Sequence, residues 1–180
     1  MKKLLLTLLI LIASQAHAGI LVEPVIGYNF AKLDVKELDT DFTARGPAFG
    51  GRLGYQKLGF QLGVDYLNST LSHSEDDLDD VGLSEWAGFV GFEFPILLRV
   101  YAGYILSATA NTEQDNGDKV ELTKGSGMKA GLGFTMLPFV DINLEYRKGT
   151  FDQVEVDGVE SDDGATYESV MVGLSLPLNL

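Results

Sequence analysis

Eight charged side chains stand where charge is expensive. Glu23, Arg52, Asp65, Glu93, Arg99, Lys129, Glu145 and Arg147 each fall inside a run of alternating residues, on the face that carries no large apolar side chain. Four cations and four carboxylates spread over many such runs have one evident chemistry, mutual ion pairing, because a charge removed from water and left unpaired is costly. Such pairs would either fill an interior permanently or form a barrier whose rearrangement lets small ions through. A second chemistry would need a base. His73 lies between Ser72 and Ser74 and precedes Glu75, the residue types of an acyl-transfer triad, but a triad is a spatial arrangement and adjacency in sequence does not make one. A third chemistry is cation binding. Asp76, Asp77, Asp79 and Asp80, and then Glu160, Asp162 and Asp163, offer the hard oxygen ligands that Ca²⁺ or Mg²⁺ prefers. Neither cluster has the spaced ligands, central glycine and final glutamate of an EF-hand. They read as solvated acidic loops at which divalent cations could bridge to anionic neighbours.

Composition narrows the classes. The chain has 180 residues, enough for one domain, and no cysteine, which excludes disulfides and thiolate chemistry. Its formal net charge of −13 argues against a nucleic-acid partner, whose phosphates need a basic surface. At 46% hydrophobic residues it can bury enough apolar surface to escape the disorder of acidic chains. No cofactor is expected. Lys2 and Lys3, the apolar run Leu4–Ala13 and Ala16-His17-Ala18 form a positive, apolar and small-x-small series. That series predicts a cleavable signal peptide over Met1–Ala18 and a barrel domain over Gly19–Leu180.

The elements that must hold the charges are strands. From Val140 to Arg147, Val140, Ile142, Leu144 and Tyr146 fall on one face and Asp141, Asn143, Glu145 and Arg147 on the other, a sorting no helix gives. Seven further segments resemble it, near residues 20–30, 47–56, 60–70, 84–94, 97–108, 124–136 and 165–180. Strands of about ten residues suit a tilted crossing of a bilayer, and an even count lets an antiparallel sheet close with both termini at one end. The connections alternate: long polar ones at Ala31–Gly46, Ser72–Leu83, Thr109–Thr123 and Gly149–Gly164, tight ones near Lys57–Gly59, Pro95–Ile96 and Leu137–Phe139. The long set holds the excess of acids, so one end of the predicted barrel is acidic.

Three features place the apolar face in lipid. Opposite charges share the other face, where an eight-stranded barrel leaves room for side chains alone. Gly54, Gly63, Gly103, Gly131, Gly133 and Gly173 share it too, as a crowded lumen would require. Aromatics on the apolar face cluster toward the segment ends. Tyr28, Phe30, Tyr66, Trp86, Tyr104 and Tyr146 lie toward the long connections, and Tyr55, Phe60, Phe94 and Phe134 toward the short ones. Two aromatic girdles around an aliphatic band are what the two interfaces of a bilayer select. Closure is then obligatory, since an open sheet edge cannot be satisfied in hydrocarbon. Pro24 and Pro177 both fall at the seam and lack the N–H of a ladder, which predicts local weakness at the short-turn end.

With these segments, turns and girdles, Gly19–Leu180 resembles the OmpA/OmpX-type family of small eight-stranded outer-membrane barrels. The final Val172–Leu180 resembles the alternating C-terminal signal of such chains, with Leu180 where they usually carry Phe or Trp. The resemblance implies a monomer in the outer membrane with lipid and lipopolysaccharide around it and the barrel-assembly machinery as a partner in biogenesis. It implies a structural or adhesin-like role with acidic loops outside. Three alternatives stand beside it: a narrow pore gated by lumenal charge pairs, a soluble exported lipocalin-like carrier, and an outer-membrane lipid esterase using His73.

Overall fold

The computed structural model describes residues 18–35, 40–73, 80–113, 119–137, 140–156, 159–161 and 164–180. The predicted leader up to residue 17, and Asp76, Asp77, Asp79, Asp162 and Asp163 of the acidic loops, lie outside the described residues. The strands are β1 (Gly19–Val35), β2 (Thr40–Lys57), β3 (Phe60–His73), β4 (Val81–Phe94), β5 (Leu98–Glu113), β6 (Lys119–Leu137), β7 (Val140–Val156), β8 (Val159–Ser161), β9 (Ala165–Ser175) and β10 (Leu178–Asn179). Each of β1 to β7 pairs antiparallel with the next. Strand β9 pairs with both β7 and β1 and closes the cylinder. Strand β10 continues β9 along β1, and β8 folds back on the end of β7. The barrel therefore has eight staves, β9 and β10 forming the last.

Following paired residues from Val22 through Leu53, Val64, Gly88, Tyr104, Met128, Lys148 and Glu168 leads back into β1 at Lys32, a stagger of ten residues. A stagger of that size tilts the strands by roughly 40° and leaves an interior that side chains fill. Two of the short turns use left-handed residues. Leu58 (φ 53°) and Gly59 (φ 83°) form the two-residue link of β2 to β3, where both central residues need positive φ. Leu97 (φ 64°) ends the three-residue link of β4 to β5.

The wall inverts the rule of soluble proteins. Ile26, Phe49, Leu53, Leu62, Val90, Leu106, Leu132, Leu144, Val172 and Leu174 point outward and are exposed, while Glu23, Arg52, Asp65, Glu85, Arg99, Lys129, Glu145 and Arg147 are buried inside. That is the arrangement of a barrel whose solvent is lipid, and the opposite of a lipocalin-like carrier, which buries its apolar face. The predicted girdle residues Tyr28, Phe30, Tyr55, Phe60, Tyr66, Trp86, Phe94, Tyr104, Phe134 and Tyr146 all project from the outer wall. Phe49 and Phe92 join them. Phe60 packs edge-on against Phe92 and Tyr66 packs tilted against Trp86, with centroids 4.7 and 4.8 Å apart.

Beyond the upper girdle the polarity of the two faces changes over. Lys32, Asp34, Thr70, Ser72, Lys148, Thr150 and Asp152 now face outward. Leu71, Leu83, Ile105, Ala108, Phe151 and Tyr167 form an apolar core inside, flanked by Leu33, Val81 and Leu122. The upper barrel is built like a soluble one because water, not lipid, surrounds it. This corrects the expected element lengths. Strands β1 to β7 run 14 to 19 residues rather than about ten, and most of the connections read as long loops are strand. His73 accordingly ends β3 instead of lying in a loop. Among the acidic-loop residues, Glu160 falls in β8 and Asp80 stands exposed just before β4. A bulge near Leu106 leaves both Leu106 and Ser107 exposed and turns Ala108 in.

The seam is weakened by one proline, not two. Ile20 and Leu180 exchange both backbone hydrogen bonds at 2.9 Å, so even-numbered β1 residues are the exchanging positions on this side. Pro24 stands at such a position: its carbonyl accepts from the Leu176 N–H at 3.1 Å, and the return bond has no donor. Pro177 faces Glu23, where no exchange is due. Amides of Val22 and Leu178 are expected to exchange with deuterium faster than those of Leu144 and Val172 in mid-barrel. Equal protection at the two places would refute a weak seam.

Candidate functional site

The site is the lumen between the girdles. Its side chains come from inward positions of strands far apart in sequence, and most ties run across the barrel rather than along its wall. Arg99 on β5 faces Glu23 on the opposite stave β1 and holds it in a fork, Nη1 to Oε2 at 2.7 Å and Nη2 to Oε1 at 2.6 Å. Its Nη2 also donates to Asn143 Oδ1 at 2.9 Å and lies 3.3 Å from Asp141. Arg52 donates to Glu23 at 2.8 Å and to the Tyr101 hydroxyl and Glu145 at 2.9 Å each. Its guanidinium sits 4.4 Å from the centre of the Tyr101 ring, adding a cation–π contact.

Glu145 is the hub. Besides Arg52 it accepts from Arg147 Nε at 2.6 Å and from Lys129 at 3.3 Å. Lys129 also pairs with Asp65. Arg147 reaches on to Glu85 at 3.0 Å, and Glu85 takes the Tyr167 hydroxyl at 2.6 Å from the stave opposite. Arg52, Arg99, Tyr101, Lys129, Glu145 and Arg147 are each 5% exposed or less. Bidentate and charge-assisted bonds of this kind are the strong ones, and each partner fixes the next.

The structure brings seven of the eight predicted charges into one network: Glu23, Arg52, Asp65, Arg99, Lys129, Glu145 and Arg147. Glu93, expected to pair with a cation, instead accepts from Gln56 at 2.8 Å near the short-turn rim. Arg99, its neighbour across β4 and β5, is turned away toward Glu23. Sequence reasoning missed Glu85, Asp141, Tyr101 and Tyr167 as members. Glu85 and Asp141 were already on the polar face. The tyrosines carried a signal in the glycines: a Cβ at Gly131 would strike the Tyr101 ring and one at Gly149 the Tyr167 ring. Each ring fills the space a side chain would need at a glycine on the neighbouring strand, which is why those positions have none. Among the described residues no group of three His, Asp or Glu side chains is arranged to hold a metal ion.

A closed antiparallel cylinder with lipid-facing aliphatic residues, two aromatic belts and a paired polar lumen defines the class of small transmembrane β-barrels. The model of the family described as outer membrane protein beta-barrel domain matches residues 4–176, and the chain belongs to that family. It resides in the outer membrane. Among solved structures it is similar to the Neisserial surface protein A, with a TM-score of 0.61 at 17% identity over 90% of this chain and 99% of that one. It is also similar to Ail, the attachment invasion locus protein of Yersinia pestis, with a TM-score of 0.55 at 14% identity over 89% and 99%. No curated protein matches the chain by sequence.

Proposed function

We propose that this protein is a non-conducting, non-catalytic barrel whose role is contact at the cell surface, made through a strand-stiffened acidic rim. The single observation that carries the reading is the division of the barrel at the upper girdle. Below it the lumen is tied across by ion pairs, and above it the strands continue into water over an apolar core that holds the rim in place. Rigid extensions position a contact surface more reliably than free loops. The acids concentrated in the connections beyond them favour a partner with a basic surface. The attachment role in the name of Ail is consistent with this reading.

Refolded protein in neutral phosphatidylcholine vesicles is expected to bind immobilised poly-lysine. Changing Asp76, Asp77, Asp79 and Asp80 together to Asn is expected to weaken that binding several-fold at low salt. Equal binding by parent and variant would overturn the acidic-rim reading. In planar bilayers the same protein is expected to be silent. Steady openings that Arg52→Ala or Arg99→Ala alter would put the gated pore in its place.

A further inference from the structure

The upper end of the lumen is not completely filled. Inside the extended strands, above the ion-paired layer, lies an apolar well of about 60 Å³. A single water needs ~10–15 Å³ of such space, so the well has room for a side chain of a few carbons. It exists because alanines stand where the layer below carries arginine and tyrosine. Ala31 lies opposite Ala44 across β1 and β2, and Ala110 lies opposite Leu122 across β5 and β6. Tyr167 also lines the well, and its hydroxyl donates to Glu85 at 2.6 Å. Lys32 borders it but faces outward from the wall. The well therefore offers an occupant apolar contact and no charge. A cavity left in an apolar core lowers stability in proportion to its volume, and one alanine-to-leucine change would close this one.

The lip of the well is ringed by acids. Leu33 on β1, Val81 on β4 and Leu122 on β6 line its upper end and are only partly buried. At each of them the next residue toward the rim is an exposed carboxylate: Asp34 after Leu33, Asp80 before Val81 and Glu121 before Leu122. These three strands stand on different sides of the barrel, so the carboxylates surround the mouth instead of lining one edge. Glu121 is also directly across from Glu155, and Glu155 from the Glu160 position on β8. Like charges placed opposite one another repel, so a cation brought among them is attracted by several at once. An apolar socket at the centre with charges at a solvated margin is how protein partners are anchored, by one buried side chain inside a polar rim.

We propose that the mouth of the barrel seats one aliphatic side chain of a basic polypeptide partner, with the side chain in the well and the flanking cations on the carboxylates around it. This site rests on the acidic-rim reading and adds the feature that tells one basic segment from another. Charge at the rim brings the partner in and orients it. The buried anchor then sets which segment stays. A leucine suits the volume, and an aromatic ring exceeds it.

The test uses the full refolded chain in phosphatidylcholine nanodiscs, titrated calorimetrically with the peptides Lys-Lys-Leu-Lys-Lys, Lys-Lys-Ala-Lys-Lys and Lys-Lys-Phe-Lys-Lys, with empty nanodiscs as the blank. The leucine peptide is expected to bind at least about tenfold more tightly than the alanine peptide, because it buries the extra carbons. Ala44→Leu, which fills the well, is expected to erase that advantage. Leu33→Ala, which widens it, is expected to make the phenylalanine peptide the tightest of the three. Ala102→Leu, on the lipid-facing wall, should leave the ratio of leucine to alanine peptide as it is in the parent. Heat-shifted migration in gels verifies that each variant is folded. Equal affinity of the leucine and alanine peptides for the parent, or a leucine advantage that persists in Ala44→Leu, would overturn the proposal and leave the acidic-rim reading standing. Failure of all three peptides to bind would overturn both.

Discussion

Replacing Glu145 by Leu is expected to lower the stability of the folded barrel by about 3–5 kcal/mol, read as a fall in the urea midpoint in lipid vesicles. The size follows from what is left behind. Glu145 accepts from Arg52, Arg147 and Lys129 in a fully buried position. Its loss leaves three cations facing one another, with Asp65 the remaining carboxylate in reach of all three, while Glu23 and Glu85 each still hold one arginine. The leucine itself fits the space and brings little gain. Glu93→Leu is the matched control, because Glu93 sits near the short-turn rim and its hydrogen bond comes from the neutral Gln56. Its cost is expected to stay below about 1.5 kcal/mol. Similar losses at the two sites would mean that the lumen is not an interdependent network.

The second large effect belongs to the outer wall. Leu144→Arg places a cation midway between the girdles, on a residue that is 50% exposed to whatever surrounds the barrel. In a bilayer the expected cost is about 2–4 kcal/mol, falling toward zero for Thr150→Arg, which lies above the upper girdle. The contrast with depth is what matters. A barrel surrounded by water along its whole length would accept arginine equally at both positions, so equal stabilities in vesicles would reverse the orientation of the wall assigned here.

How much of this was legible in the sequence depended on which solvent each residue meets. Between the girdles the alternation is clean, as in Val140 to Arg147, and the eight staves, their faces and the belts could be read from it. Above the girdle the same strands change phase. Phe30 faces out and Leu33 faces in on one strand; Tyr146 faces out and Phe151 faces in on another. A pattern that swaps faces resembles the end of a strand, so alternation alone ends each strand at the girdle and leaves His73 in a loop. The bulge at Leu106 breaks the alternation on a smaller scale, leaving Leu106 and Ser107 both outward. At the site, charges announced themselves because charge on an alternating strand is rare. Tyr101 and Tyr167 did not, because a tyrosine is at home on either face, and only the glycine opposite each one shows which way it points. The partners of Glu93 and Arg99 could not be assigned, since side chains on adjacent strands can reach across the lumen instead of toward each other.

The two surfaces of the barrel differ in what sequence drift they permit. Any aliphatic residue that suits lipid will serve at Leu62, Leu132 or Val172, so the wall can change one position at a time with little consequence. The lumen is a closed set of partners drawn from strands as distant as β1, β5 and β7, where a single change strands a charge and only a compensating second change restores it. Lineages that share this fold are therefore expected to diverge quickly on the outside while their interiors move in correlated steps, from one complete pairing scheme to another.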